Sequence, residues 1–248
     1  MIVGVSFKTY FGHRAARDWL ADAADVVSRS SAVAEGAVEF FVAPTYPQLI
    51  PAMEAFAGTR AAIAAQDVSA YAPGAFTGEV AASELAEIGV RMAEIGHAER
   101  RRLFGDTDEV IAAKTAAALH HGLTPLLCVG EPQRLSPADA LAIATQQVEA
   151  AIDGAPDGRI IVAYEPVWAI GAPEPAPAAH TAEVCAGLRD VVCALPGRGG
   201  SAVIYGGSAG PGLLTELAGA VDGVFLGRFA HDPAALAAVL DEAATLAR

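Results

Sequence analysis

Eight short apolar segments recur along the chain, each rich in Val, Ile, Phe or Leu. Their lengths of about five to seven residues and their near-continuous apolar character are typical of β-strands that are buried on both faces. We therefore predict eight strands. They cover residues 2–7, 38–43, 61–66, 91–96, 124–130, 159–165, 201–207 and 223–227.

The segments between these strands are mostly rich in Ala, Leu and Glu with helical spacing. Two of them, residues 106–122 and 136–154, have recognisable ends. Asp106 and Ser136 are candidate N-terminal caps, and a glycine stands at the end of each segment, Gly122 in the first and Gly154 in the second. We predict a helix in each.

Strands that alternate with helices indicate a parallel sheet. Eight such units in 248 residues favour a closed (β/α)8 barrel in which residues 1–248 form a single α/β domain. An open doubly wound sheet is the alternative. No GxGxxG sequence follows the first predicted strand, which weakens the case for a dinucleotide-binding sheet.

Charge and composition exclude several function classes. The net charge is −13 with only 16 Lys and Arg residues, so no general positive field is available to hold a nucleic acid. No apolar run is long enough to span a bilayer, and the N-terminus lacks a basic region followed by a long apolar one. The three cysteines, Cys128, Cys185 and Cys193, are widely spaced and suggest reduced thiols. We expect a soluble cytoplasmic protein that binds neither membrane nor nucleic acid.

Polar residues follow five of the predicted strands. Lys8 follows the first, His97 the fourth and Glu165 the sixth, while glycine-containing segments at 206–208 and 227–228 follow the seventh and eighth. In a parallel barrel the carboxyl ends of all strands meet at one face, where the βα loops build the active site. These five segments therefore predict a single pocket.

Several long motifs, in order along the chain, resemble the triosephosphate isomerase family. The resemblance covers nearly the whole chain and implies a TIM barrel that isomerises a small phosphorylated sugar through an enediol, without a cofactor or metal. The motifs are AQDVSAYAPGAFTGEV (65–80), EIGHAERRRLFGDTDEVIAAK (94–114), LCVGE (127–131), AYEPVWAIG (163–171) and YGGSAGP (205–211).

The resemblance implies a role for each strand-end residue. Glu165 is expected to be the base, and partial removal of water by Tyr164 and Trp168 is expected to raise its basicity. His97 is expected to act as a neutral electrophile, since helix N-terminal amides disfavour a protonated imidazole. Lys8 is expected to stabilise negative charge on the substrate oxygens.

Several further roles follow from the same resemblance. Glu99 is expected to contact Lys8. Arg100, Arg101 and Arg102 are interpreted as surface or interface charges, and the histidines outside the motif, including His180, as structural residues. Phosphate binding is assigned to a set that offers backbone N–H groups, a hydroxyl and a cation. The set is Gly171, Gly207, Ser208, Gly227 and Arg228.

Three departures from the family pattern bear on the loop after Glu165 and on the substrate. The loop reads APEPA at 172–176, and its prolines, Pro173 and Pro175, predict a stiff distal half. Ser6 stands where the family usually has asparagine. Arg228 stands where a second glycine is expected.

These departures suggest a reshaped pocket. Replacing asparagine by Ser6 makes room for one more hydroxymethyl group and keeps a hydroxyl, as expected for the family branch that interconverts L-erythrulose 1-phosphate and D-erythrulose 4-phosphate. Triosephosphate isomerisation is the alternative, and a non-catalytic barrel that binds a phosphosugar is a third. The segment 70–80, with Thr77 near its tip, resembles the family loop that enters a neighbouring subunit, which implies a homodimer.

Overall fold

All eight predicted strands are present in the computed structural model, which describes residues 1–171, 175–217 and 219–247. Each strand is one to three residues shorter than its apolar segment, so Lys8, His97 and Glu165 lie just beyond the strand ends. The strands are β1 (Ile2–Ser6), β2 (Glu39–Ala43), β3 (Ala62–Ala65), β4 (Met92–Ile95), β5 (Thr124–Val129), β6 (Ile161–Tyr164), β7 (Ala202–Tyr205) and β8 (Gly223–Leu226).

Helices connect the strands and surround them. They are α1 (His13–Arg29), α2 (Ser31–Glu35), α3 (Leu49–Ala55), α4 (Ala82–Glu87), α5 (Asp108–His120), α6 (Pro137–Ile152), α7 (Ala178–Ala194), α8 (Leu213–Glu216) and α9 (Pro233–Leu246). Short helical turns follow four strands or their loops. These are Tyr46–Gln48, Arg100–Phe104, Val167–Ala169 and Arg228–His231.

The predicted helix ends are correct except for one cap. The Ser136 side chain accepts a hydrogen bond from the Asp139 N–H at the start of α6. At the start of α5, however, the cap is Thr107, which accepts from Val110. Asp106 is instead buried and accepts from Lys114 Nζ at 2.7 Å. The Asp106 carboxylate forms a buried ion pair with Lys114 instead of capping the helix, so its predicted capping role is wrong.

The eight strands form one closed parallel barrel in sequence order, β1 through β8. Ile2 on β1 pairs with Glu39 on β2 and with Gly223 on β8, which closes the sheet. The predicted (β/α)8 fold is therefore confirmed, and the open sheet is excluded. Among the described residues, no helix is both long and apolar enough to cross a membrane.

The core has two parts, because successive side chains on a strand point to opposite faces of the sheet. The outer part lies between the sheet and the helices. The inner part fills the barrel and contains several large residues, among them Phe41 and Phe225, whose rings are 5.4 Å apart. Phe41 occupies the space that a side chain at Gly4 would need. Small residues such as Ala43 and Ala163 also belong to this inner part.

Candidate active site

A cavity of about 330 Å³ opens at the carboxyl ends of the strands. It is lined by every residue that the sequence predicted for the site, so all five predicted segments contribute to one pocket. Those residues are Ser6, Lys8, His97, Glu99, Glu165, Gly171, Gly207, Ser208, Gly227 and Arg228.

Lys8 is held in an unusual backbone conformation. Its φ of 44° is the only positive value of a non-glycine residue in the described parts of the chain. The side-chain amide of Gln66 donates to the Lys8 carbonyl at 3.0 Å and to the Ala43 carbonyl at 2.9 Å, which ties the β1 loop to β2. Strained backbone of this kind is concentrated at functional sites.

The Lys8 ammonium remains charged inside the pocket. Its Nζ donates to Glu99 Oε1 at 2.8 Å. Burial alone would lower the pKa of Lys8, but the hydrogen bond and negative charge of Glu99 outweigh it, so the pKa is raised. The same contact lowers the pKa of Glu99, against the opposing effect of burial. The predicted Lys8–Glu99 contact is present.

The geometry around His97 favours a neutral imidazole with its proton on Nε2. The Glu99 backbone N–H donates to His97 Nδ1 at 3.1 Å, so this nitrogen acts as an acceptor and carries no proton. The contact exists because a helical turn begins directly after His97, whose carbonyl accepts from Arg100 N at 2.8 Å. We assign the proton to Nε2, which lies 3.3 Å from Glu165 Oε2.

Glu165 has the features of a general base. Its side chain is 4% exposed, and burial raises its pKa above the ordinary carboxyl value. Oε2 forms no hydrogen bond with any described residue, because His97 Nε2 is close but poorly aligned. A desolvated carboxylate oxygen without a donor is available to accept a proton from carbon.

Two glycines make this position of Glu165 possible. A Cβ at Gly206 would lie 2.7 Å from Glu165 Cγ and Oε1, and one at Gly130 would overlap the Glu165 carbonyl oxygen. Both glycines belong to loops that follow neighbouring strands. The sequence motifs that contain them are therefore required for packing around Glu165.

The aromatic residues beside Glu165 share one hydrogen-bond acceptor. Tyr164 and Trp168 both donate to Glu131, at 3.0 and 2.6 Å, and do not hydrogen-bond to Glu165. His180 Nε2 lies 3.1 Å from the Tyr164 hydroxyl and joins this cluster. Glu131 is fully buried. It therefore anchors the turn Val167–Ala169, which begins the loop after the base.

The groups predicted to bind phosphate all line the cavity. The backbone N–H groups of Gly207 and Ser208 donate to no described residue, so they are available to an anion. A side chain at position 207 would collide with the Tyr205 hydroxyl, so glycine is required there. The Arg228 guanidinium lies over the Tyr10 ring at 5.9 Å, also on the cavity wall. The prediction of a stiff loop after Glu165 rests partly on Pro173, which lies outside the described residues.

The arginine run differs from its interpretation as surface charge. Arg100 Nε bridges Asp67 at 2.9 Å and Asp106 at 3.1 Å, in a network that also includes the buried Lys114. Arg102 lines the cavity. Only Arg102 is exposed as expected of a surface charge, and its place at the cavity was not foreseen. The alternative interpretation of these arginines as interface charges stays a prediction.

Sequence reasoning also missed Glu94. It lines the cavity, is 4% exposed and lies within β4. Burial raises its pKa to about 7. The available signal was an acid inside an apolar strand segment, RMAEIG, where a carboxylate is costly unless it has a use.

The model of the family described as triosephosphate isomerase matches residues 1–243 of the chain. The chain belongs to the triosephosphate isomerase family. It is therefore an isomerase of the triosephosphate isomerase type, as its sequence motifs predict.

Similar proteins from this family fall into two groups by name. L-erythrulose-1-phosphate isomerase of Pectobacterium atrosepticum is 48% identical over 250 residues, which is 99% of this chain and 96% of that protein. Triosephosphate isomerase of Symbiobacterium thermophilum is 35% identical over 252 residues, covering 98% and 96%. The crystal structure of triosephosphate isomerase from Bartonella henselae superposes with a TM-score of 0.79 at 27% identity over 97% of each chain.

Proposed function

We propose that this isomerase interconverts L-erythrulose 1-phosphate and D-erythrulose 4-phosphate. The observation that carries the proposal is the difference between two full-length likenesses. The chain is 48% identical to an L-erythrulose-1-phosphate isomerase and 35% identical to a triosephosphate isomerase over the same extent. The serine at position 6, which lines the cavity, supports the same assignment.

The reaction moves a carbonyl by one carbon. Glu165 removes a proton from C3 of L-erythrulose 1-phosphate and returns a proton to C2, with an enediolate between C2 and C3. His97 donates from Nε2 to the oxygens on these two carbons in turn. A neutral imidazole suits this role because the two enediolate oxygens have a similar pKa, so the same N–H group can exchange a proton with either of them.

Lys8 and Glu99 support the charge that develops. Lys8 brings a positive charge into a pocket with little water, where it stabilises an enediolate more strongly than it would in bulk solvent. Glu99 fixes the position of the ammonium through the 2.8 Å contact. The protein uses no metal or cofactor in this scheme.

The phosphate of the substrate is held at the wall formed by the seventh and eighth loops. The proposed ligands are the N–H groups of Gly207, Ser208 and Gly227, with the Ser208 hydroxyl and Arg228. Gly171 contributes from the loop after the base. Such local donors are required because the chain has a net charge of −13.

Triosephosphate isomerisation is the second candidate, because several relatives that match most of the chain carry that name. The two functions share Glu165, His97 and Lys8 and differ in one hydroxymethyl group on the reacting carbon. We further propose that the enzyme works as a cytoplasmic homodimer.

A comparison of substrates with Ser6→Asn tests the proposal. The purified protein is assayed on dihydroxyacetone phosphate and on both erythrulose phosphates. We expect the wild type to prefer the erythrulose phosphates at least about tenfold in kcat/KM. We expect Ser6→Asn to reduce that preference by about ten- to a hundredfold, because the larger amide crowds the extra group. A wild type that prefers dihydroxyacetone phosphate would support the second candidate instead.

A further inference from the structure

Glu94 enters the cavity from the interior of the barrel. Met92, on the same strand, belongs to the cluster that fills the barrel, and residues two apart on a strand face the same side. Glu94 is therefore directed inward, one pleat closer to the active-site face. It lines the cavity and is 4% exposed, so it forms part of the wall beneath the reacting groups.

Glu94 has almost no partner within the described protein. Its one hydrogen-bond contact is with the weak Cys128 thiol, at 3.9 Å from Sγ to Oε1. Two other buried acids differ: Asp106 pairs with Lys114 and Arg100, and Glu131 accepts from Tyr164 and Trp168. A buried carboxyl whose capacity for hydrogen bonds is unmet destabilises the fold, so its retention calls for a ligand.

Glu94 acts on the neighbouring catalytic groups only through the field of its charge, which raises the pKa of Lys8. It forms no hydrogen bond or ion pair with Lys8, His97 or Glu165 in the described chain. Lys8 and His97 already contact Glu99, and His97 also lies close to Glu165. The free capacity of Glu94 is thus directed at the contents of the cavity.

Ser6 is the matching polar group on another side of the same cavity. It is also 4% exposed, and it lies on β1, which is not adjacent to β4. The apolar Phe225 and Leu226 line the same cavity. Two buried polar side chains among apolar neighbours can select a ligand that carries one hydroxyl in that place.

We propose that Glu94 and Ser6 form the subsite for the terminal hydroxyl of a four-carbon ketose phosphate, with Glu94 as its hydrogen-bond acceptor. The inference rests on the proposed function and names the contact that would distinguish the two substrates. A three-carbon phosphate has no atom to satisfy Glu94. A site with a buried polar group rejects an analogue that lacks the matching hydroxyl far more strongly than an apolar pocket discriminates by size.

The test combines a protein change with a substrate change. Glu94→Leu removes the acceptor, and 4-deoxy-L-erythrulose 1-phosphate lacks the hydroxyl. For the wild type we expect kcat/KM to be about a hundredfold lower on the deoxy compound than on L-erythrulose 1-phosphate. In Glu94→Leu the two compounds should be turned over equally, and kcat/KM should fall at least about tenfold more on L-erythrulose 1-phosphate than on dihydroxyacetone phosphate.

Two controls separate this subsite from a structural role. Met92→Leu changes the same face of the same strand outside the cavity lining and should leave all ratios unchanged. Glu94→Gln keeps an acceptor and should retain part of the preference for the hydroxyl. If Glu94→Leu does not fold, the wild-type ratio between the deoxy and parent compounds still tests the hydroxyl contact, and a reduced ratio in Glu94→Gln tests whether Glu94 makes it.

Different results would overturn different claims. A wild type that turns over the deoxy compound as well as the parent would overturn the subsite, as would an equal loss on all substrates in Glu94→Leu. A wild type inactive on both erythrulose phosphates would overturn the proposed function itself. The wild-type assay on the parent substrate therefore distinguishes the two failures.

Discussion

At the scale of single residues, the site depends on where one carboxylate oxygen lies. Glu165 Oε2 is buried without a hydrogen-bond partner in the described chain and is 3.3 Å from His97 Nε2. Shortening this side chain moves the oxygen away from the substrate carbon without disturbing the backbone. Proton transfer is steeply sensitive to such a displacement.

We therefore expect Glu165→Asp to fold normally and to lose a hundredfold or more in kcat. Glu183→Asp, at an exposed position on α7, makes the same chemical change away from the cavity and should keep full activity. Steady-state kinetics and circular dichroism of both variants provide the check. A near-wild-type rate for Glu165→Asp would remove Glu165 from the mechanism.

Glu94 is expected to make stability depend on pH. Burial raises its pKa from 4.5 to about 7 in the folded state, whereas it ionises near 4.5 in the unfolded chain. Between these values the folded state binds more protons, so the free energy of unfolding falls as pH rises. Above pH 7 the loss reaches about 3 kcal/mol. Glu94→Gln abolishes this effect.

The measurement is Tm by calorimetry for wild type and Glu94→Gln at equal protein concentration. Lys8, His97, Glu99 and Glu165 also face this region, but they are present in both proteins, so their contributions largely cancel in the difference. The advantage of Glu94→Gln should be small near pH 5 and several degrees near pH 8. An advantage that does not change with pH would show that Glu94 ionises normally.

Residues of this kind mark the limit of prediction from sequence. Lys8, His97 and Glu165 could be placed in one pocket because each follows a strand, and parallel strands end at the same face. Glu94 could not, because an acid inside an apolar segment gives no indication of whether it faces the barrel or the helices. Glu131 was missed for a similar reason, since its donors come from another strand and its loop.

At the scale of elements, the apolar segments predicted every strand. The exact start of a helix could not always be predicted, because it depends on contacts with other parts of the chain. The cap of α5 shows why: Asp106 fits the sequence pattern, but Lys114 and Arg100 hold its carboxylate, and Thr107 caps the helix instead. Tertiary ion pairs of this sort cannot be predicted from the local sequence around a helix start.

The loop after the base gives a prediction at this scale. Trp168 and Tyr164 both donate to Glu131, but only Trp168 lies on the turn Val167–Ala169. We expect Trp168→Phe and Tyr164→Phe each to lower the free energy of unfolding by about 1–3 kcal/mol, since each leaves the buried Glu131 with one donor fewer. Only Trp168→Phe should also lower kcat/KM, because it frees the loop.

Urea denaturation and steady-state kinetics of the two variants check this prediction. They serve as each other's control, since both lose a hydrogen bond to the same acceptor. Equal effects on kcat/KM would mean that the contact with Glu131 stabilises the fold and does not position the loop.

At the scale of the whole molecule, an exposed apolar surface accompanies the predicted dimer loop. Tyr71 and Phe76 are stacked with ring centroids 4.2 Å apart and are 52% and 42% exposed. Leu103 and Phe104, on the turn after His97, are 62% and 67% exposed. Exposed apolar groups of this size are typical of surfaces that meet another protein.

We expect a twofold homodimer in which the segment 70–80 of one subunit supports the β1 and β4 loops of the other. Phe76→Asp should shift the protein toward a monomer and reduce its activity, because the Lys8 and His97 loops lose external support. Sedimentation velocity with parallel assays at micromolar concentration tests this. A wild type that is fully active as a monomer would contradict it.

The central claim is that Glu165 transfers a proton between C2 and C3 of a tetrulose phosphate. The most direct test is to incubate the wild type with L-erythrulose 1-phosphate in heavy water and follow the products by NMR. We predict D-erythrulose 4-phosphate with deuterium on the carbon that was C2 of the substrate, formed faster than glyceraldehyde 3-phosphate from dihydroxyacetone phosphate at equal concentration. No labelled tetrulose product, or faster conversion of the triose phosphate, would contradict the claim.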